Sequence, residues 1–164
     1  MHYVVHRHQL RVCQAFRNAA ATCAAALQPL YVSVACNELA EGPGRLTDEV
    51  RGLLLKKNNL RFVKNLPGTL PLYRGMRVLL YSKQCVRLQL MNGCVCVLED
   101  ILFADEDPPP VAAYAGEPVI LEYLPLQLLL RALDAPWTLP SSQLPELPAD
   151  YDRAGLFLLD HHTD

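Results

Sequence analysis

No run of this 164-residue sequence is apolar over the length of a bilayer. The most apolar stretch, "YLPLQLLLRAL", is interrupted by Pro125, Gln127 and Arg131 and reaches about half a span. The opening "MHYVVHRHQLR" sets basic residues after a short apolar run, the wrong order and length for a secretory signal. These absences lead to the expectation of a soluble, intracellular protein with no membrane partner. Charge of one sign is missing as well. Fifteen Lys and Arg stand against 17 Asp and Glu, a formal net charge of -2, so contact with a polyanion would depend on local patches.

Chemistry-bearing motifs are also sparse. No G-x-x-x-x-G-K-[ST] loop is present to cradle phosphates, and no strand ending in paired acids is placed to hold magnesium. No His, Ser or Cys has a recognisable nucleophile setting. Zinc calls for two close pairs of ligands, whereas Cys94 and Cys96 are one residue apart and His161-His162 falls in the last stretch. No metal is expected. The six cysteines, at 13, 23, 36, 85, 94 and 96, read as small apolar core residues, kept reduced inside a cell.

Core material, by contrast, is ample, at 51% hydrophobic residues. Residues 3 to 5 form a short β-run. From His8 to Leu27, Leu10, Cys13, Phe16, Ala20, Cys23 and Leu27 recur at helical steps. Pro29 ends that helix, and "LYVSVA" alternates as a strand. Strand, helix and strand predict a βαβ unit with parallel strands. "LTDEVRGLLLKK" follows a Gly-Pro-Gly turn, with a Thr47 cap, acids first and lysines last, and predicts a second helix. "NLPGTLP" then breaks both helical and strand periods and marks a hinge or domain entry. β-runs at about 76–82, 86–91, 94–98 and 118–124 predict a small barrel, with "LED" at 98–100 and "ADED" at 104–107 as a loop face. The Pro-rich stretch from 134 predicts a largely irregular tail, with "LFLLD" at 156–160 either a last strand or a frayed end. The domain reading is thus 1–64, 65–133 and 134–164.

The series "RH…LR…FRN", "YVSVACNE", "LTDEVRGLLLK", "LPGTLPLYRGMRVLL" and "LMNGCVCVLEDI" resembles the C-terminal part of ATP-dependent DNA helicases of superfamily one, of the petite-integration-frequency and Helitron type. Leu70, Leu72, Gly75, Met76, Val78, Leu80, Leu90, Asn92 and Gly93 match the motif in order, and the resemblance covers about residues 3–124. It implies an α/β (α+β) fold: a partial βαβ unit of the second RecA-like motor domain, then a small inserted β-barrel of the Src-homology-three kind beside the single-stranded DNA channel. It implies single-stranded DNA and the missing motor domain as partners, ATP and magnesium as cofactors of the full-length relatives though not of this chain, and work in DNA repair and telomere maintenance in nucleus or mitochondrion. Arg7 matches an arginine that senses nucleotide in a complete helicase.

The implied DNA contacts are Lys83, Arg87, Arg74, Arg77, Asn92 and Gly93. Cations gather at 56–87 and acids at 99–107. The sequence departs from the family where Asn is usual and Lys83 stands, where Gly is usual and Gln89 stands, where Thr-Arg is usual and Cys94-Val95 stands, and at His8 after Arg7. Two readings follow: a helicase-derived segment, inactive alone and binding DNA weakly at most, or a non-catalytic protein-interaction module or non-functional fragment.

Overall fold

The computed structural model describes residues 2–34, 69–80, 84–106, 108–121 and 124–160, with side chains in the first helix from Gln14 onward. Among these residues the fold is mixed α/β: one helix and seven strands, the strands arranged in two sheets. Two compact units divide the chain, residues 1–72 with 110–123 and residues 73–109 with 124–164. The predicted second helix, the lysines at 56, 57 and 64 and the Gly-Pro-Gly turn lie outside the described residues.

In the first unit, α1 (His2–Ala25) is followed by β1 (Leu30–Val34), β2 (Thr69–Leu72) and β5 (Pro118–Ile120), in sheet order β2-β1-β5. The expected strand at Tyr3–Val5 is instead the first turn of α1. Three residues with no paired neighbour gain no ladder, whereas each residue added to an existing helix gains one hydrogen bond. The βαβ unit therefore does not form as predicted. The parallel partner of β1 is β5, in register Leu30↔Pro118 and Val32↔Ile120, and its other neighbour is antiparallel β2.

The stripe on α1 centres on Ala19 and Cys23, both buried, while Leu27 is 85% exposed. Leu27 leaves the stripe because it lies past the helix, at φ 52°. Its N–H donates to Ala24 O, and that of Gln28 donates to Cys23 O, the paired bonds of a Schellman motif. Leu30 and Val32 of β1 are buried and Tyr31 and Ser33 half-buried, so the predicted alternation holds. Gly116 rests directly on α1: a Cβ there would come 2.6 Å from Ala20 O.

The second unit is an antiparallel sheet of β3 (Arg77–Leu79), β4 (Val95–Leu102), β6 (Gln127–Ala132) and β7 (Leu156–Asp160), in that order. Among the described residues it is open, with β3 and β7 as its edges. Its register shifts between Leu98 and Asp100, leaving Glu99 as the extra residue of a bulge. Leu98 and Ile101 are both buried although three residues apart. In an unbroken strand an odd separation puts two side chains on opposite faces, and the bulge restores them to one core. Leu98 pairs with buried Leu130, which pairs with buried Phe157.

Several further expectations change here. Residues 86–89 form a turn inside the isolated Cys85↔Leu90 bridge, where a strand was expected. The alternation of Val86, Leu88 and Leu90 is strand-like, but the segment folds back on itself before meeting another strand: Gln89 N–H donates to Val86 O and Leu90 N–H to Cys85 O. Residues 118–120 join the first unit and not a barrel, and "LED" lies within β4. The unit boundaries differ from those expected at 64 and 133, because β7 pairs with β6 along five residues. Residues 134–155 are mostly irregular, as predicted, but anchored: Trp137 Nε1 donates to Leu88 O, and its ring meets Phe157 edge-on at 6.4 Å.

Candidate nucleic-acid interface

The β3–β4 hairpin carries the described candidates of the second unit, at its two ends. At the near end, Gly75 N–H donates to Leu98 O and Leu98 N–H to Met76 O, which seats the Arg74-Gly75 turn beside β4. Arg74 Nη2 lies 2.6 Å from Asp100 Oδ1, and Arg77 is exposed opposite Val97. Arg74 and Asp100, 26 residues apart in sequence, are thus adjacent in space. Antiparallel pairing folds the acidic stretch back onto the basic one, and Asp100 offsets Arg74.

At the far end, Leu80 N–H donates to Cys94 O and Gly93 N–H to Leu80 O. The turn closes with Cys94 N–H on Met91 O. Gly93 has φ 92° and Asn92 is not among the positive-φ residues, the pattern of a type II turn and not of the primed turn that Asn-Gly suggested. Its i→i+3 span sits at the end of a short link and not between two directly paired strands, which removes the twist requirement for a primed turn. Arg87 is exposed in the adjacent Val86–Gln89 turn, so Arg87, Asn92 and Gly93 share one end of the hairpin. Arg77 is separated from them by the strand. Lys83 lies outside the described residues. The backbone of Arg7 is in α1 and not at a strand end.

A second polar cluster, unread in the sequence, forms at the bulge. Arg131 Nε donates to Glu99 Oε1 at 2.5 Å, and Tyr151 O–H donates to Glu99 Oε2 at 2.9 Å. The same guanidinium reaches Asp152 Oδ2, Asp152 O and Ala154 O, and lies 5.8 Å from the Tyr151 ring centroid. Burial raises the Tyr151 phenol, and its hydrogen bond to Glu99 adds to that. For Arg131, burial is the largest influence and pulls down, but the hydrogen bond and charge of Glu99, with Tyr151 and the charge of Asp152, together outweigh it and the net shift is upward. The bonds of this cluster clamp residues 151–154 to the sheet. The available sequence signal was Arg131 itself, a lone cation within an apolar run.

Among the described residues no group of three or more His, Cys, Asp or Glu could hold a metal ion, and no helix is long and apolar enough to cross a membrane. Cys94 and Cys96 stand apart, with sulfurs 3.9 Å from one another. Burial, and secondarily Cys94, pushes the Cys96 thiol up to about 12. What fold and site define is a mixed α/β chain with an antiparallel sheet and an exposed cation-bearing double turn. No protein-family model, curated protein or solved structure matches the chain.

Proposed function

We propose that the chain is a helicase-derived segment in which the second unit corresponds to the small inserted barrel and the first to part of the second RecA-like motor domain, and that its own capacity is weak binding of single-stranded DNA. The observation that carries the reading is Gln89. The helicase motif has glycine at this position, and Gln89 holds φ 58°, a left-handed backbone that glycine adopts freely and other residues adopt at a cost. The backbone at this turn is therefore the one the motif's glycine would serve, although the side chain differs. The pairing of β3 with β4 and the turns at Gly75-Met76 and Asn92-Gly93 support the same correspondence.

On this reading Arg87 and Asn92-Gly93 are the contact end, Arg77 is a secondary cation, and Arg74, offset by Asp100, contributes little. Lacking a phosphate loop, the chain hydrolyses no ATP by itself. Fluorescence anisotropy of a labelled single-stranded oligonucleotide at low salt tests the proposal. Saturable, sequence-insensitive binding is expected, with log affinity falling against log salt by about 0.7 per phosphate neutralised. Arg87→Glu should weaken it and Arg17→Glu, on the exposed side of α1, should not. Absence of saturable binding, or equal losses for the two variants, would overturn the DNA-binding reading.

A further inference from the structure

The geometry points to Cys94 and Cys96 as a reversible dithiol–disulfide site that exchanges with small-molecule disulfides. Their sulfurs are already in contact at 3.9 Å, with no intervening group. Cys94 is half-buried and Cys96 fully buried, so an oxidant from solvent meets Cys94 first and Cys96 is the resolving partner. Only two sulfur ligands converge there, and no third His, Cys, Asp or Glu joins them among the described residues, which does not make the four-ligand shell of a structural zinc site.

Cys94 directly precedes β4 and Cys96 is its second residue; in extended backbone, residues two apart have Cα atoms about 6.6 Å apart. That is near the upper end of the roughly 4.4–6.8 Å that a disulfide spans. The bond can therefore close, but under strain. Strained disulfides are the readily reduced ones, so the site is a labile one and not a structural staple.

The chemistry balances as two thiol–disulfide exchanges. The Cys94 thiolate attacks one sulfur of oxidised glutathione, forming a mixed disulfide and expelling one glutathione thiolate. Cys96 then loses its proton and attacks Sγ of Cys94. The Cys94–Cys96 bond forms and the second glutathione leaves, so two protein thiols are oxidised, one glutathione disulfide is reduced, and both protons end on glutathione. The closure acts on a defined place, since Cys94 O accepts from Leu80 N–H and Cys94 N–H donates to Met91 O. Shortening the sulfur distance pulls on both bonds at the end of the hairpin.

The test is intact-mass and peptide-level thiol mapping of the full chain, equilibrated in glutathione buffers of graded oxidation. Loss of two hydrogens mapped to a Cys94–Cys96 bridge is expected, restored by excess reduced glutathione and absent in Cys94→Ser, with Cys85→Ser unaffected. Amide exchange at Leu80 and Cys94 should quicken in the oxidised form. Because Cys94 is not buried, its variant retains the core that Cys96→Ser would disturb. Any one of three results overturns the proposal: a glutathione adduct on Cys94 that persists without closing, a bridge to Cys85 instead, or no thiol loss in fully oxidised buffer.

Discussion

Leu27 and Gln89 are the non-glycine residues with positive φ among those described, at 52° and 58°. A left-handed backbone costs an ordinary residue about 1–2 kcal/mol, part of which glycine returns through the greater freedom of its unfolded chain. Neither side chain is buried, and Leu27 is 85% exposed, so little packing is lost on truncation. Leu27→Gly and Gln89→Gly are each expected to stabilise the protein by about 0.5–1 kcal/mol, read as a rise in urea midpoint. A fall at either site would mean that its side chain holds the turn by contacts that outweigh the backbone strain. Neither position was legible as left-handed from its own residue type. Leu27 fits the helical period one step too far, and only the comparison with a glycine-bearing motif singles out Gln89.

At the scale of the element, the two ion pairs of β4 should differ in weight. Arg74 and Asp100 are 64% and 34% exposed, whereas Arg131 and Glu99 are 19% and 22% exposed. Arg74→Ala should cost less than about 1 kcal/mol, in line with exposed pairs. Glu99→Ala removes the acceptor for both Arg131 Nε and Tyr151 O–H and should cost about 1–3 kcal/mol. Urea denaturation of both variants side by side, followed by Trp137 fluorescence, decides this, and equal small losses would show the clamp to be inert. The strands legible in the sequence are those with local signals, the alternation in "LYVSVA" and the glycine turns around 75 and 93, whereas the apolar "LFLLD" fits a strand or a frayed end equally. The bulge is not legible, since Glu99 in sequence looks like an ordinary polar break, and its meaning depends on Leu129 and Leu130 facing it across the sheet. The turn at 86–89 shows the converse, since its alternation is as regular as a strand's and only the missing partner rules a strand out.

At the scale of the whole molecule, the stretch from 134 that reads as a tail supplies an edge strand. Leu156 and Phe157 are buried, and burying two such side chains is worth about 3–6 kcal/mol, comparable with the whole stability of a small domain. Truncation after Leu133 is therefore expected to strip hydrogen-exchange protection from β3, β4 and β6, while the amides of β1 keep theirs. Unchanged protection in β4 would show the last strand to be dispensable. Proline content hid this strand's importance, because thirteen prolines signal irregular backbone without revealing that Trp137, Tyr151 and Arg131 tie it down. The domain boundaries were illegible for a related reason: composition marks where a linker is, not which distant strand a segment will pair with.

The pairing of β1 with β5 has a consequence for the order of events on a ribosome. Leu30 finds Pro118 only after the hairpin of the other unit has been synthesised, and β6 waits likewise for β7. Both sheets close late, through contacts distant in sequence, and such topologies fold slowly. A nascent chain halted between these strands would hold two incomplete sheets at once, each with an unpaired edge open to chaperones or to a neighbouring nascent chain.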